Sequence, residues 1–554
     1  MVLLIFLNRF SLGDSFRMKI KDVIFILIFL LIGALFGGTI SGVVEKDNGK
    51  YEEENGNFRK FSETLSVVEG YSGEKMEGNE LIYKSIEKML LVLDPHCNFF
   101  DPKEYKKIME ENEGRYYGLG IRIRQVSRDS GRIIIVEPPF PDTPAFRAGL
   151  QAGDVIFKVN GESIDDWTLD EVISRLKGPA GTKVHITVKR PGVEKPLEID
   201  VERAEIKTYT INYSFRLKND IGYIKIDRFA STTYDELEKA FAKLNVNTLK
   251  GLVLDLRGNP GGYLNMAIKV SESFLPKGAE IVSVKGRGGV VSDIYYAERT
   301  GNITLPLIIL INNGSASASE IVSGALQDND RALIVGERSF GKGLVQSVYN
   351  LNDGSALAIT TGRYYLPSGR LIQRPYNGSV YDYYNKRLRK LQKPEKSKIF
   401  HTLEGRVVYG GGGITPDVVI KSKKMNAFQI ELYSSDAYFK FIRAAQSGKF
   451  PELKGLFKKS KESHLTIGDE KLLSAFKSFI KTLDIPFSNK DFEDNRDYIL
   501  IQLKGELYTF LFGIVSGYRE RIKADDVFQK ALNLFPRARN LLVNARKKYV
   551  KLSY

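Results

Sequence analysis

Three serines alternate in the run Asn313-Gly-Ser-Ala-Ser-Ala-Ser-Glu320, directly after the apolar run Leu307–Ile311. The pattern reads as a buried strand passing small residues into a helix start. Such a junction aims backbone amides and the positive end of the helix dipole at one point, the environment an acyl-transfer oxyanion requires. The alanines and the glycine leave room for a substrate backbone. Ser317 and Glu320 also satisfy a helix capping box, so the motif has a structural reading too. A nucleophilic serine needs a base, and none of the four histidines, His96, His185, His401 and His464, is near in sequence. Lys342 is, in Phe340-Gly-Lys-Gly-Leu-Val345, with apolar neighbours and no acid within four residues. Burial disfavours a charged ammonium and would make its amine available as a base. On spacing alone Ser315, Ser317 and Ser319 are equal candidates.

A rival reading exists for the same lysine. Gly336-Glu-Arg-Ser-Phe-Gly-Lys342 has the spacing of a phosphate-binding loop, and Leu252-Val-Leu-Asp255 imitates its acidic strand. The next residue, however, is Gly343 rather than the Ser or Thr that would hold magnesium. Leu344-Val-Gln-Ser-Val-Tyr-Asn-Leu351 then alternates like a strand where a nucleotide loop opens a helix. Nucleotide chemistry is rejected on both counts.

The elements that must position these residues sit in a chain of 554 residues, enough for several folded units. With 43% hydrophobic and 27% charged residues it is globular material. One cysteine, Cys97, excludes an internal disulfide, and the scattered histidines exclude the usual zinc-type spacing, so no metal and no cofactor is expected. A net charge of +15 falls on lysine-rich surfaces without interleaved stacking aromatics, which argues against a nucleic-acid partner.

Residues 1–22 carry Arg9, Arg17, Lys19 and Lys21 ahead of an uncharged stretch from Val23 to Val44. That length suits a bilayer span, and the flanking charge keeps the N-terminus cytoplasmic. The expectation is a membrane anchor over 23–44, with a cleaved export signal as the competitor, and a body on the extracytoplasmic, periplasmic side. Residues 45–112 read as a linker and a helical segment broken at Leu93-Asp-Pro-His-Cys-Asn-Phe-Phe-Asp-Pro102. Residues 113–204 change to short alternating strands. There Tyr117-Gly118-Leu119-Gly120-Ile121 reads as a loop able to capture a chain-terminal carboxylate beside a free strand edge. With Ala148-Gly-Leu-Gln-Ala-Gly-Asp-Val-Ile-Phe-Lys-Val-Asn-Gly-Glu-Ser-Ile164 it closely resembles a PDZ domain. Residues 205–426 alternate strands and helices, an α/β core. Residues 427–554 are helical.

The stretch from Gly314 to Gln346 resembles the signature of the carboxyl-terminal processing peptidases, PDZ-containing serine endopeptidases with a Ser/Lys dyad. The resemblance runs from about Leu93 to Val418. It implies an α/β protease core with an inserted PDZ domain. It selects Ser317 as nucleophile and Lys342, 25 residues on, as general base. It further implies Gln346 as the residue holding Lys342 and Asp328 as a supporting acid. The oxyanion amides would be Ala318 and either Gly261 or Gly262 of the Leu256-Arg-Gly-Asn-Pro-Gly-Gly262 turn. The implied partners are protein or peptide substrates with apolar C-terminal tails. Cys97 departs from the family, which often has serine there. The long helical tail lies outside the minimal pattern and leaves assembly open, a homo-oligomer included. A catalytically silent PDZ adaptor is the alternative; the simultaneous presence of Ser317, Lys342 and Gln346 argues against it.

Overall fold

The computed structural model describes residues 56–74, 78–125, 133–136, 138–140, 142–190, 192–376, 378–384, 398–457 and 468–552. The stretch 23–44 read as an anchor lies outside them. Among the described residues no helix is long and apolar enough to cross a membrane. The chain separates into two units at Met89 and Leu90. The first contains a helix over 56–71 and most of the helix Gly78–Leu91.

The centre of the second unit is a six-stranded sheet. Its strands Tyr213–Arg216, Ile221–Lys225, Gly251–Asp255, Leu307–Ile311, Leu333–Gly336 and Val418–Val419 lie side by side in that order. The first pair is antiparallel and every later pair is parallel. Strands 251–255 and 307–311 are apolar except for the terminal Asp255 and buried at every position, so both faces of the sheet need a cover. On one face Leu237, Phe241, Val270, Ile321, Val322 and Ala325, from the helices Thr233–Leu244, Leu264–Glu272 and Ala318–Asp328, pack on Leu252, Leu254, Ile309 and Ile334. On the other, Ile522, Phe528, Ala531 and Ala538 pack on Tyr223, Val253, Ile308, Leu310 and Val335.

The second cover comes from the end of the chain. The helical region read as one module over 427–554 therefore divides in two. Residues 427–457 and 468–512 form helices around their own cluster of Phe428, Phe441, Phe476, Phe492 and Leu503. The helices Ile514–Arg521, Asp526–Leu532 and Phe535–Leu552 complete the α/β core. Phe535 packs where a Cβ at Gly251 would fall, only 2.3 Å from its ring.

A second sheet, antiparallel throughout, orders strands Asn98–Phe100, Ala356–Tyr365, Glu280–Lys285 and Val291–Tyr296. Strand Leu344–Asn350 also pairs with Ala356–Tyr365, slipping register between Val345 and Gln346. The strand after Lys342 that alternation implied is therefore present, which removes the helix a phosphate loop needs.

The PDZ unit is a separate sheet in the order Ile123–Gln125, Ile133–Ile135, Val155–Val159, Lys183–Lys189, Leu197–Glu202, with Glu162–Ser163 on Val155–Val159. A ribbon of Arg115–Gly118 against Ala204–Lys207 joins it to the core. Among the described residues Ile123–Gln125 pairs on one side only and stands at the edge of this sheet. Arg124 on that strand forms a 2.6 Å ion pair with Asp436, and its guanidinium lies over the Phe439 ring, so the edge strand is tied to the 427–457 helices.

Candidate active site

In an open parallel sheet, loops leaving the carboxyl ends of neighbouring strands converge. Here those loops follow Asp255, Ile311 and Gly336, and they carry Gly261 and Gly262, Ser317, and Lys342. Backbone hydrogen bonds and short side chains lace them together. Asn259 accepts from Gly261 N–H (2.8 Å) and donates to the Ile226 carbonyl (2.9 Å). Ala316 N–H donates to Asn259 O at 3.0 Å, and Phe340 N–H to Ser315 O at 2.9 Å.

The geometry separates the three serines. Ser315 and Ser319 are fully buried, and their hydroxyls donate to the carbonyls of Leu256 (2.8 Å) and Asn259 (3.0 Å). Ser317 is half-buried, and its φ of +54° and ψ of −115° put it outside the ordinary regions for a residue with a Cβ. Ser315 and Ser319 hold the junction together; Ser317 is the one displayed.

Glu320 joins Ser317 to the lysine loop. Its carboxylate is completely buried and accepts four hydrogen bonds. One oxygen takes Ser317 N–H (2.9 Å) and Lys342 N–H (2.8 Å); the other takes Gly341 N–H (2.7 Å) and Ser339 Oγ–H (2.5 Å). Burial drives this carboxyl up to about 7 against the pull of those donors. The tyrosine Tyr364, also buried, donates to the Lys342 carbonyl and reaches the Ser317 side chain. The capping residue seen in the sequence is thus the tie that brings position 317 to position 342.

Lys342 is half-buried, and burial holds its amine below the ordinary 10.5, with Asp94 and Glu320 pulling the other way. Nζ donates to Gln346 Oε1 at 2.5 Å, and Gln346 Nε2 donates to the His96 carbonyl at 2.5 Å. The register slip at Gln346 turns its side chain to the lysine. Sequence reasoning missed His96, 246 residues earlier. Its ring nitrogens face the hydroxyls of Tyr383 (2.8 Å) and Tyr384 (3.4 Å), and burial with the Lys342 charge depresses it to about 4. With both nitrogens so occupied, the imidazole is a packing group beside the lysine.

The glycine turn abuts Ser317. A Cβ on Gly261 would fall 2.8 Å from Ser317 Cβ and 3.0 Å from Ala318 N; one on Gly262 would fall 2.0 Å from Phe229 O. Both adopt positive φ, +104° and +142°. Gly261 N–H is spent on Asn259, whereas the N–H groups of Gly262 and Ala318 have no partner among the described residues. Between the two glycines, Gly262 is the one with an amide to offer.

Asp328 lies at the far end of the 318–328 helix, in a fully buried ion pair with Arg370 at 2.7 Å. It also accepts Ser368 N–H at 3.1 Å. It braces the fold away from Ser317. In the PDZ unit Tyr117 and Gly118 pair with Glu205 and Ala204 and belong to the connecting ribbon. Of the five residues expected to form a carboxylate loop, Leu119, Gly120 and Ile121 lie outside that ribbon: Leu119 is buried in the PDZ core and Gly120 takes φ +81°. Among the described residues no cluster of His, Cys, Asp or Glu could hold a metal.

An α/β core whose strand ends display a strained serine beside a desolvated lysine, with a PDZ unit attached, defines a serine peptidase of the PDZ-bearing class. Residues 220–383 match peptidase family S41 and residues 135–190 match the PDZ domain. The chain is 44% identical over 304 residues to the carboxy-terminal-processing protease of Bartonella bacilliformis, covering 54% of this chain and 68% of that protein. It is 33% identical over 318 residues to the carboxy-terminal processing protease CtpA of Bacillus subtilis, covering 57% and 67%. Among solved structures it resembles a photosystem II D1 C-terminal processing protease at 28% identity and a TM-score of 0.34, over 65% of this chain and 92% of that one. The chain belongs to the carboxy-terminal processing proteases of peptidase family S41.

Proposed function

We propose that this peptidase cleaves protein substrates near their C-termini with a Ser317/Lys342 dyad. The observation that carries the reading is the single Glu320 oxygen shared by the backbone amides of Ser317 and Lys342, at 2.9 and 2.8 Å. An apolar tail adds as a strand to the PDZ edge at Ile123–Gln125, its carboxylate at the Leu119–Ile121 amides. The unfolded segment ahead of it enters the site extended. Ser317 Oγ attacks the scissile carbonyl while the neutral Lys342 amine takes its proton. The amides of Gly262 and Ala318 donate to the oxyanion. Lys342 then returns the proton to the leaving amine, and water, activated by the same lysine, releases the acyl group. We further infer that residues 23–44 tether or export the chain, with the body outside the cytoplasm.

The test is cleavage of an unfolded protein with an apolar C-terminal tail by Ser317→Ala and Lys342→Ala. Both are expected to lose turnover while still binding the tail. Unchanged cleavage in either overturns the assignment.

A further inference from the structure

We propose that the turn Asp94–Cys97, which precedes the PDZ unit in the chain, is a positioning element for Lys342: Asp94 holds the His96 carbonyl, and that carbonyl fixes which way round the Gln346 amide sits. The inference rests on the dyad reading above and adds to it the element that aims the base.

The turn is set by its own sequence. Asp94 Oδ1 accepts the N–H groups of His96 (2.7 Å) and Cys97 (3.1 Å), and Pro95 between them has no N–H to compete. The hydroxyl of Tyr384 donates to the Pro95 carbonyl at 2.8 Å, and the buried His96 ring packs edge-on against Phe340, Tyr383 and Tyr384. So held, the His96 carbonyl receives two donors, Asn98 Nδ2 at 2.7 Å and Gln346 Nε2 at 2.5 Å.

A primary amide has a donor end and an acceptor end, and which is which follows from its partners. A carbonyl can only accept, so the nitrogen of Gln346 faces His96 and the oxygen faces Lys342 Nζ. The consequence is chemical. With the oxygen toward it, the neutral amine donates one N–H to Gln346 and keeps its lone pair for the serine proton. With the amide reversed, Gln346 would donate into that lone pair and quench the base. Without the carbonyl, the amide is free to reverse.

The groups that act on Lys342 are Asp94 from the turn, Glu320 from the 318–328 helix, the His96 ring, Gln346, and Tyr364 at its carbonyl. Arg374 acts on His96 from behind. Asp94 therefore has two separable effects, a turn that needs only its oxygen and a charge that favours the ammonium.

Four variants of the full chain separate them. Asp94→Ala is expected to lower kcat about a hundredfold, the scale of a misplaced catalytic group, with KM within about twofold. Asp94→Asn keeps the accepting oxygen and is expected to recover most of kcat. Its acid limb in the pH profile should move to lower pH, because the carboxylate that favoured the ammonium is gone. Asp94→Ala combined with Gln346→Ala should be no slower than Gln346→Ala alone, since both break one relay. Additive losses overturn the proposal, as does an Asp94→Asn as slow as the alanine variant or with an unmoved acid limb. The Asn variant carries the test if the alanine variant does not fold. Ser317→Ala, run alongside, separates the two readings: retained turnover there sinks the dyad itself.

Discussion

Glu320→Gln is the perturbation that most sharply exposes how this site is held together. The wild-type carboxylate is completely buried and faces four donors, yet burial outweighs them and raises it from 4.5 to about 7. A carboxyl whose folded value is raised contributes stability that is complete below the unfolded value and lost as pH rises through the folded one. The window here runs from 4.5 to about 7, and the difference amounts to about 3 kcal/mol. Glutamine has the shape of the protonated carboxyl, but its –NH2 end cannot accept where a carboxyl oxygen can, so the variant leaves buried donors unpaired at every pH and should be the less stable protein near pH 4.5. That cost does not change with pH, so the variant's deficit relative to the wild type should be smaller at about pH 8 than near pH 4.5 by about 3 kcal/mol. Its turnover should also fall, because an amide cannot accept from Ser317, Lys342, Gly341 and Ser339 together. Denaturant unfolding of both proteins at the two pH values reads the stability, and peptide turnover reads the rest. A variant that is equally destabilised at both pH values refutes the view that Glu320 is a desolvated charge held at the expense of stability.

Three further outcomes follow from the same geometry. The acid limb of kcat/KM, set by deprotonation of Lys342, should lie below the ordinary lysine value of 10.5, because burial disfavours the ammonium; a limb at or above 10.5 contradicts this. Gly262→Ala should abolish turnover, since the added Cβ meets the Phe229 carbonyl at 2.0 Å and displaces an oxyanion amide, whereas retained activity would exclude Gly262 from the hole. Asp328→Ala leaves Arg370 buried without its partner and should cost about 3–5 kcal/mol in a denaturant melt. Turnover per folded molecule should persist there, and its loss would give Asp328 a part in the chemistry.

Much of the fold was legible because its signals are local. Alternation after Lys342 marked the strand Leu344–Asn350, and the apolar run 307–311 followed by small residues marked the strand-to-helix junction. The capping pair Ser317 and Glu320 was legible as well, but not its use. Three of the four donors to Glu320 come from positions 339–342, and no local pattern records a hydrogen bond across that distance. His96 escaped for the same reason, since its carbonyl meets Gln346 across 250 residues. Spacing alone left Ser315, Ser317 and Ser319 equal and the family resemblance chose Ser317; only the fold shows the other two hydroxyls spent on carbonyls. The division of the C-terminal helices was hidden in the sheet: strands apolar on both faces call for two covers, and nothing local says that the second is supplied by residues 514–552.

The most direct test of the Ser317/Lys342 dyad is to trap the acyl-enzyme. The full chain is mixed with a peptide substrate, quenched in acid within a turnover, digested, and the ester adduct located by mass spectrometry. The adduct is expected on Ser317 in the wild type and absent in Lys342→Ala. An adduct on Ser315 or Ser319, or undiminished acylation without Lys342, would contradict the dyad.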